Sequence, residues 1–166
     1  MEVVNIHKRI INTHKEGVSQ LLVTLSSKED KIWPFEKWPA IRFKDGLVEN
    51  AIGGHGPIRY SINKYILNEQ IEFKFTAPKG FNGVHRFNIV KLKSNKTEFR
   101  HAIEMKTTGI GILTWALAIY WLHNALFEDL MDKVENQFIS EPKQHKWNLW
   151  VKFLRLVLKP KSGKSK

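Results

Sequence analysis

The sequence predicts an α+β fold in which a curled antiparallel β-sheet wraps around one long C-terminal helix. From residue 58 to residue 106, apolar and polar side chains alternate with a period of two, which is typical of strands with one buried face. Residues 109–127 then carry no charge, and residues 123–138 place their apolar side chains at helical spacing. A sheet with one apolar face needs a cover, and this helix is the only segment long enough to provide it.

The composition indicates one globular domain without cysteine chemistry. The chain has 166 residues, enough to bury a core, and its recurring tryptophan, phenylalanine and isoleucine exclude a disordered chain. It contains no cysteine, which excludes disulfides, a thiol nucleophile and a cysteine-bound metal. The first ten residues mix acidic and basic side chains and lack an apolar core, so we expect no secretory signal and a cytoplasmic location.

The positive charge is concentrated towards the C-terminus. The formal net charge is +11, and the segment from Lys143 to Lys166 contributes eight basic side chains and no acidic one. The preceding residues are therefore nearly balanced, and we predict a domain over residues 1–140 followed by a basic amphipathic tail over residues 141–166. Since the basic surface is confined to the tail, we expect no nucleic-acid partner.

The N-terminal part predicts a strand, two short helical pieces and a rigid corner. Val3–Ile11 is rich in β-branched residues and predicts the first strand. Glu16–Leu25 has apolar side chains at helical spacing, and Ser26 and Ser27 can end that helix and cap a second one. Two Trp-Pro steps within Lys31–Pro39 interrupt regular structure, so we expect the two indole rings to close one end of the core.

The central segment predicts five or so antiparallel strands joined by short turns. Alternation is clearest in residues 58–63, 71–76, 85–89 and 98–106. Turn-forming residues separate these runs, and short turns join antiparallel neighbours. The turn signals are Asp45-Gly46, Gly53–Pro57, Leu67-Asn68, Pro78–Gly80, Asn82-Gly83 and Ser94-Asn95.

The long helix is predicted from about residue 112 to residue 138. Its second half carries apolar side chains on one face and charged ones, including Asp129, Asp132 and Glu135, on the other. We expect the apolar face to meet the sheet and the acidic face to meet solvent.

A membrane-spanning segment is the alternative interpretation of residues 109–127. Their uncharged length just reaches that of a transmembrane helix. His123 and Asn124 within the segment disfavour this alternative, as does the sheet face that would lose its cover.

Three segments resemble the SRPBCC superfamily. They are GGHGPIRY (Gly53–Tyr60), FTAPKGFNGVHRF (Phe75–Phe87) and LHNALFEDLMD (Leu122–Asp132), and the order of elements is similar too. This superfamily includes START-like and birch-pollen-allergen-like helix-grip proteins and polyketide cyclase/dehydrase-type domains. The resemblance covers residues 3–138. It implies a helix-grip fold with a cavity between sheet and helix for an apolar small molecule, and it implies no single catalytic motif.

We expect the ligand to lie between the inner face of the sheet and the long helix. Strand alternation and helical phase aim one set of side chains at this space. The ligand would be a lipid, a quinone or a polyketide-like ring, which the protein would transport or sense. The predicted ligand-binding residues are Tyr60, Phe73, Phe75, His85, Phe87, Phe99, His101, Ile103, Ile119 and His123.

Three of these residues, His85, His101 and His123, could carry chemistry. They could bind a metal, act as acid and base in a cyclase or dehydratase, or serve as polar lining. No inward carboxylate accompanies them, so we expect no metal, no cofactor and no catalytic residue. A further alternative is an interaction module whose core is filled.

The glycine-rich run Gly53–Pro57 has two interpretations. Such a loop binds phosphate where it opens a helix, but this one leads into a strand. We therefore expect a turn whose glycines permit positive φ values, with His55, Arg59 and Tyr60 near the cavity mouth.

The tail predicts an amphipathic helix over Lys146–Lys159, with a wide apolar face and a narrow basic stripe. This pattern is typical of a helix on an anionic membrane surface, so we expect a peripheral membrane contact. The alternatives are packing on Leu117 and Trp121 of the long helix, or on a second subunit in a homodimer. We expect the last eight residues, KPKSGKSK, to be disordered. The residues predicted for the membrane or partner contact are Trp147, Trp150, Lys152, Phe153 and Arg155.

Overall fold

The computed structural model describes residues 1–93 and 95–158. The strands are β1 (Glu2–Ile11), β2 (Arg42–Phe43), β3 (Ile52–His55), β4 (Ile58–Ile66), β5 (Gln70–Ala77), β6 (Phe81–Lys91) and β7 (Thr97–Thr107). The helices are α1 (Lys15–Leu22), α2 (Ile110–Thr114), α3 (Tyr120–Glu135) and α4 (Leu149–Val157), with a π-helical turn (Trp115–Ile119) between α2 and α3. The strands form one curled antiparallel sheet in the order β1-β7-β6-β5-β4-β3-β2, and the predicted α+β architecture is confirmed.

Two predictions fall partly outside the described residues. Ser94 of the predicted Ser94-Asn95 turn lies outside the described residues. Residues 159–166, which include Lys159 of the predicted tail helix and the predicted disordered end, also lie outside them.

Alternation along the strands determines the buried face of the sheet. In the β6–β7 hairpin, Phe87 pairs with His101 and His85 pairs with Ile103, and all four are buried on the inner face. Glu104, the residue after Ile103, is exposed on the outer face. Register shifts in the β4–β5 pair add local bends, which help the sheet to curl.

Strand β1 turns polar side chains towards the long helix. Asn5 Nδ2 donates to Asn124 Oδ1 over 3.0 Å, and the Arg9 guanidinium lies 3.1 Å from both Glu128 and Asp132. The edge strand is therefore joined to α3 by hydrogen bonds and ion pairs rather than by apolar packing alone.

The acidic side of α3 is buried, and the prediction that it meets solvent is wrong. Asp132 and Glu135 lie under Arg9 of β1, and Lys143 Nζ also reaches Glu135 at 2.6 Å. Asp129 lies under the segment that leads into α4 and is only 3% exposed. The helix is enclosed on two sides, and each of these carboxylates has a cationic partner that offsets its burial.

The segment between α1 and β2 is a run of turns rather than a second helix. The carboxylate of Asp30 accepts hydrogen bonds from the backbone N–H groups of Ser26, Ile32 and Trp33. These bonds favour local turns over a helix, because the side chain satisfies donors that a helix would use. The Trp-Pro corner lies in the core, where Trp33 Nε1 donates to the Pro39 carbonyl over 2.9 Å.

The long helix runs from Ile110 to Glu135 and changes phase at its π-helical turn. After the turn, Leu126 and Leu130 pack on the sheet; before it, Leu113 is exposed. This helix is long and apolar enough to cross a membrane. Core helices of soluble proteins can be equally long and apolar. The packing of α3 on the sheet favours its interpretation as a core helix.

Candidate ligand-binding cavity

A cavity of about 330 Å³ lies between the inner face of the sheet and the long helix. Aromatic and aliphatic side chains form most of its wall, and histidines supply most of the polar groups. Its exposed lining residues, Pro39, Gly56, Pro57 and Leu158, mark the mouth. The remaining lining residues are Trp38, His55, Ile58, Tyr60, Phe75, Phe81, His85, Ile103, Trp115, Ile119, Leu122, His123, Leu126, Phe127 and Arg155.

The structure brings part of the predicted ligand-binding set together around this cavity. The predicted residues that line it are Tyr60, Phe75, His85, Ile103, Ile119 and His123. The others, Phe73, Phe87, Phe99 and His101, pack in the solid core beside it. For His101 and Phe87 the reason is the ring of Phe127, whose centroid lies 3.6 Å from that of His101 and 5.9 Å from that of Phe87. It fills the space into which these strand residues point.

Several lining residues were absent from the sequence-based set. Trp115 is the first residue of the π-helical turn that changes the phase of the helix, so helical periodicity extrapolated back from α3 does not place it. Trp38 belongs to the Trp-Pro corner, for which the sequence indicated only a position at one end of the core. Arg155 and Leu158 come from the tail, whose contact with the mouth depends on tertiary packing that no local pattern reports.

A row of histidines runs beside the inner end of the cavity. His85 Nδ1 lies 3.1 Å from His101 Nε2, and the rings of His101 and His123 are 5.2 Å apart. His7 of β1 extends the row, with its ring 5.5 Å from that of His123. Its nitrogens lie 3.1 Å from Asn124 Oδ1 and 3.3 Å from Glu128 Oε1, so the row reaches the surface carboxylate Glu128.

Burial keeps the cavity histidines uncharged at neutral pH. Desolvation holds the pKa values of His85, His101 and His123 well below 6.5, and the neighbouring histidines lower them further. Desolvation, with a smaller effect from Arg59, lowers the pKa of His55 to about 4. Each ring therefore offers one N–H donor and one nitrogen acceptor.

A second polar pair lies near the mouth. His55 Nε2 and the Tyr60 hydroxyl are 2.8 Å apart, and desolvation raises the pKa of that phenol. Arg59, which the sequence placed near the mouth, does not line the cavity. Its guanidinium donates to the carbonyls of Gly56 and Ile58 and borders a separate open groove on the other side of the β3–β4 hairpin.

The glycines of this hairpin meet a steric demand. A Cβ atom on Gly53 would lie 2.2 Å from the Arg42 carbonyl oxygen, and Gly56 has a φ of +50°. The run is a strand and turn that pack closely against β2, which supports the turn interpretation over a phosphate loop.

The polar groups of the cavity can bind a ligand through hydrogen bonds. Of the described residues that line the cavity, none carries a carboxylate that could orient a histidine as a general base. Within residues 1–93 and 95–158, no three His, Asp, Glu or Cys side chains are grouped as metal ligands. The expectation that no metal binds stays a prediction.

The tail packs on the domain beside the cavity mouth. The Arg155 guanidinium lies 4.2 Å from the ring centroids of both Trp38 and Trp147. Val151 and Leu154 of α4 are buried in the same interface. Two residues predicted to contact a membrane or partner, Trp147 and Arg155, thus contact the chain's own domain.

The opposite side of α4 is exposed and apolar. Trp150 Nε1 donates to the Leu117 carbonyl over 3.1 Å, which joins this side of α4 to the outer side of the π-helical turn. Phe153 is about half exposed and Lys152 is exposed at its edge. We call this surface the outer apolar face; it consists of Ile110, Leu113, Leu117, Trp121, Leu149, Trp150, Phe153, Leu156 and Val157.

Comparison with known proteins supports the fold. No family model matches the sequence, and no curated protein matches it. A START superfamily protein from Mycobacterium smegmatis is similar in structure, with 14% identity, a TM-score of 0.54, and coverage of 83% of this chain and 97% of that one. CalU16 from Micromonospora echinospora has 8% identity and a TM-score of 0.59, over 95% of this chain and 84% of its own. Ara h 8.0201 has 7% identity and a TM-score of 0.60, over 85% of this chain and 100% of its own.

These similarities concern the fold alone, because the sequence identity to each of the three structures is low. The curled sheet and the long C-terminal helix are shared with these structures. The resemblance to the SRPBCC superfamily is thereby confirmed for the fold, and the chain adopts the helix-grip architecture of START-like proteins.

Proposed function

We propose that the protein binds an apolar small molecule in the cavity and carries or senses it. The observation that supports this most directly is the cavity itself, whose wall is mostly aromatic and aliphatic and whose mouth is open. Its volume lies at the lower end of the range of small-ligand pockets. Proteins with this fold typically bind apolar small molecules. A compact ring system, such as a quinone or polyketide-like ring, or a short acyl chain suits this space.

The cavity can be tested by filling it. Ile119→Trp places an indole on the wall, whereas Leu117→Trp places the same group on the exposed side of the same π-helical turn. The probe is N-phenyl-1-naphthylamine, an uncharged fluorophore. We expect the wild type and Leu117→Trp to bind it with similar affinity and Ile119→Trp to bind at least about tenfold more weakly.

Native mass spectrometry of protein purified from its own host complements this titration, because it shows a retained ligand directly. If the wild type binds neither the probe nor a host-derived molecule, the proposal fails. Equal binding by the two tryptophan variants, both shown to be folded by circular dichroism, would place the probe elsewhere on the protein. Conversion of a host-derived ligand by the purified protein would support a cyclase or dehydratase instead.

We also propose that the outer apolar face rests on an anionic membrane, which would make the protein cytoplasmic and peripheral. Three supports favour a bilayer. The face is wide and includes two tryptophans; basic side chains such as Lys146 and Lys152 are exposed around it; and Leu158 at the cavity mouth adjoins it. Each basic group near such a surface contributes about 1 kcal/mol. An apolar ligand could then pass between bilayer and cavity without crossing water.

Liposome co-sedimentation tests this contact with matched leucine variants. Leu156→Glu alters the outer apolar face, whereas Leu67→Glu makes the same change in the exposed turn between β4 and β5. We expect Leu156→Glu to weaken binding to phosphatidylserine vesicles severalfold and Leu67→Glu to leave it nearly unchanged. A concentration-dependent dimer that Leu156→Glu abolishes, without vesicle binding by the wild type, would assign the face to a second copy of the chain.

A further inference from the structure

The cavity wall contains buried nitrogen atoms without partners. His85 Nε2 and both ring nitrogens of His123 are shielded from solvent and have no hydrogen-bond partner within residues 1–93 and 95–158. His85 is only 2% exposed. Buried polar atoms in folded proteins are nearly always paired, so three unpaired nitrogens on one cavity wall indicate a missing partner.

The two rings lie at the same end of the cavity. Each is next to His101, with ring-centroid distances of 5.3 Å for His85 and 5.2 Å for His123. The wall around them is apolar and includes Phe75 and Trp115, whose ring lies 6.0 Å from that of His123. A ligand that fills the cavity therefore meets a polar spot at its inner end and, apart from the His55–Tyr60 pair and Arg155, mostly apolar surface elsewhere.

The surroundings of this spot select against charge. Of the described residues that line the cavity, only Arg155 has a permanently charged side chain, and its guanidinium is held at the tail interface between two tryptophan rings. Desolvation also holds the pKa values of His85 and His123 well below 6.5, so neither ring supplies a positive charge at neutral pH. A carboxylate placed there would lose its water without gaining a cation.

We propose that the cavity takes an apolar ligand with one uncharged oxygen, a hydroxyl or a carbonyl, and that His85 and His123 bind this oxygen at the inner end. His123 can donate to it or accept from it, because neither of its nitrogens is occupied. His85 adds one contact through Nε2, since its Nδ1 already pairs with His101. This inference rests on the proposed function, that the cavity binds an apolar molecule.

Four naphthalene probes of similar size separate the possibilities. They are 2-ethylnaphthalene, 2-naphthol, 2-acetylnaphthalene and 2-naphthoate, titrated by isothermal calorimetry at pH 7.5. We expect the naphthol and the ketone to bind about tenfold more tightly than the hydrocarbon, which is the usual net effect of one or two hydrogen bonds in a buried site. The carboxylate should bind more weakly than either oxygen-containing neutral probe.

Substitutions at position 123 identify the group responsible. His123→Leu should lower the preference for naphthol over hydrocarbon to less than about twofold, and His123→Gln should restore part of it, because glutamine again offers a donor and an acceptor. His85→Phe should reduce the preference separately. Thermal unfolding identifies folded variants, and the wild-type probe series tests the inference even if a variant does not fold.

The outcomes separate this inference from the proposed function. Tight binding of the hydrocarbon with no preference for the neutral oxygens would overturn the inference and leave cavity binding intact. The inference would also be overturned if folded His123→Leu and His85→Phe preferred naphthol over the hydrocarbon as strongly as the wild type does. Binding of none of the four probes to the wild type would reject both.

Discussion

The indole N–H of Trp147 donates to Oδ2 of Asp129 over 2.8 Å, and this bond joins the tail to the long helix. The same carboxylate accepts a second indole N–H from Trp38 at 2.8 Å and lies 2.6 Å from Lys37 Nζ. One buried aspartate thereby ties together the Trp-Pro corner, the long helix and the tail. We therefore expect the tail to depend on this carboxylate for its position.

Replacing this carboxylate should loosen the tail. Asp129→Ala removes three hydrogen-bond partners at a nearly buried site, and we expect it to lower the free energy of unfolding by about 3 kcal/mol, as is usual when a buried ion pair loses one member. Urea unfolding followed by tryptophan fluorescence measures this loss. Limited proteolysis should cut the variant between residues 139 and 148 faster than the wild type.

Glu36→Ala provides the matched control for the aspartate. It removes a carboxylate from the ion pair with Lys133, in which Glu36 is exposed, so we expect a change below about 1 kcal/mol. If Asp129→Ala lowers the free energy of unfolding no more than Glu36→Ala does, and proteolysis is unchanged, the tail does not depend on the Asp129 carboxylate.

Acid should destabilise the protein through its buried histidines. Because the folded pKa values of His55, His85, His101 and His123 lie below 6.5, the unfolded chain binds more protons than the folded chain as the pH falls below 6.5. Stability is therefore unaffected by these groups above that pH and declines below it. Each histidine contributes about 1.4 kcal/mol per pH unit once its unfolded form is protonated.

Urea titrations at pH 7.5, 6.5 and 5.5 measure how the free energy of unfolding changes with pH. His101→Phe should reduce this pH dependence, whereas His14→Gln, which alters an exposed histidine, should not. Burial alone would raise the pKa of Glu135, but Lys143 and Arg9 together outweigh it and lower that pKa. Such carboxylates act in the same direction as the histidines, but only when the pH falls below about 4.5. A flat profile between pH 7.5 and 5.5 would contradict this prediction.

The ring of Phe127 should contribute more to the free energy of unfolding than any exposed aromatic ring in this fold. It is 2% exposed and separates the cavity from the solid core, with its ring stacked on His101. Phe127→Ala should cost about 3–5 kcal/mol. It should also enlarge the cavity, so that a probe too large for the wild type gains affinity.

The control for this ring is Phe35→Ala. That ring is 41% exposed and lies against Lys133 Nζ, which is 4.1 Å from its centroid, so its loss should lower the free energy of unfolding by less than about 1 kcal/mol. Similar losses in urea unfolding at both positions would show that Phe127 is not a core residue of the folded protein.

The sheet could be predicted because the alternation of apolar and polar residues within most strands shows which face of the strand is buried. In β5, β6 and β7 the side-chain period of two survives in the sequence, and turn residues separate the runs. Strand β1 carries a weaker signal, since its inward residues Asn5, His7 and Arg9 are polar. His7 was therefore missed as part of the histidine row.

The boundary of the cavity could not be predicted, because it depends on contacts between distant elements. Alternation places Phe87 and Tyr60 on the same face, but only the position of Phe127 decides that the first is core and the second is wall. The burial of Asp129 depends likewise on a tail 18 residues further along the chain. Local spacing contains no information on either contact.

The π-helical turn makes one helix serve two opposite surfaces. Trp115 and Ile119 within it face the cavity, while Leu113 and Leu117 face outwards. The indole N–H groups of Trp121 and Trp150 donate to the carbonyls of Ala116 and Leu117, which lie within the turn. A π-helical turn holds one more residue than a regular turn, so the extra residue is absorbed locally. Deleting one residue here would leave a regular helix whose two halves keep their present directions. Winding the same residues as regular helix would instead rotate everything upstream by about 100°, which would move Trp115 off the cavity wall and Leu113 off the outer apolar face.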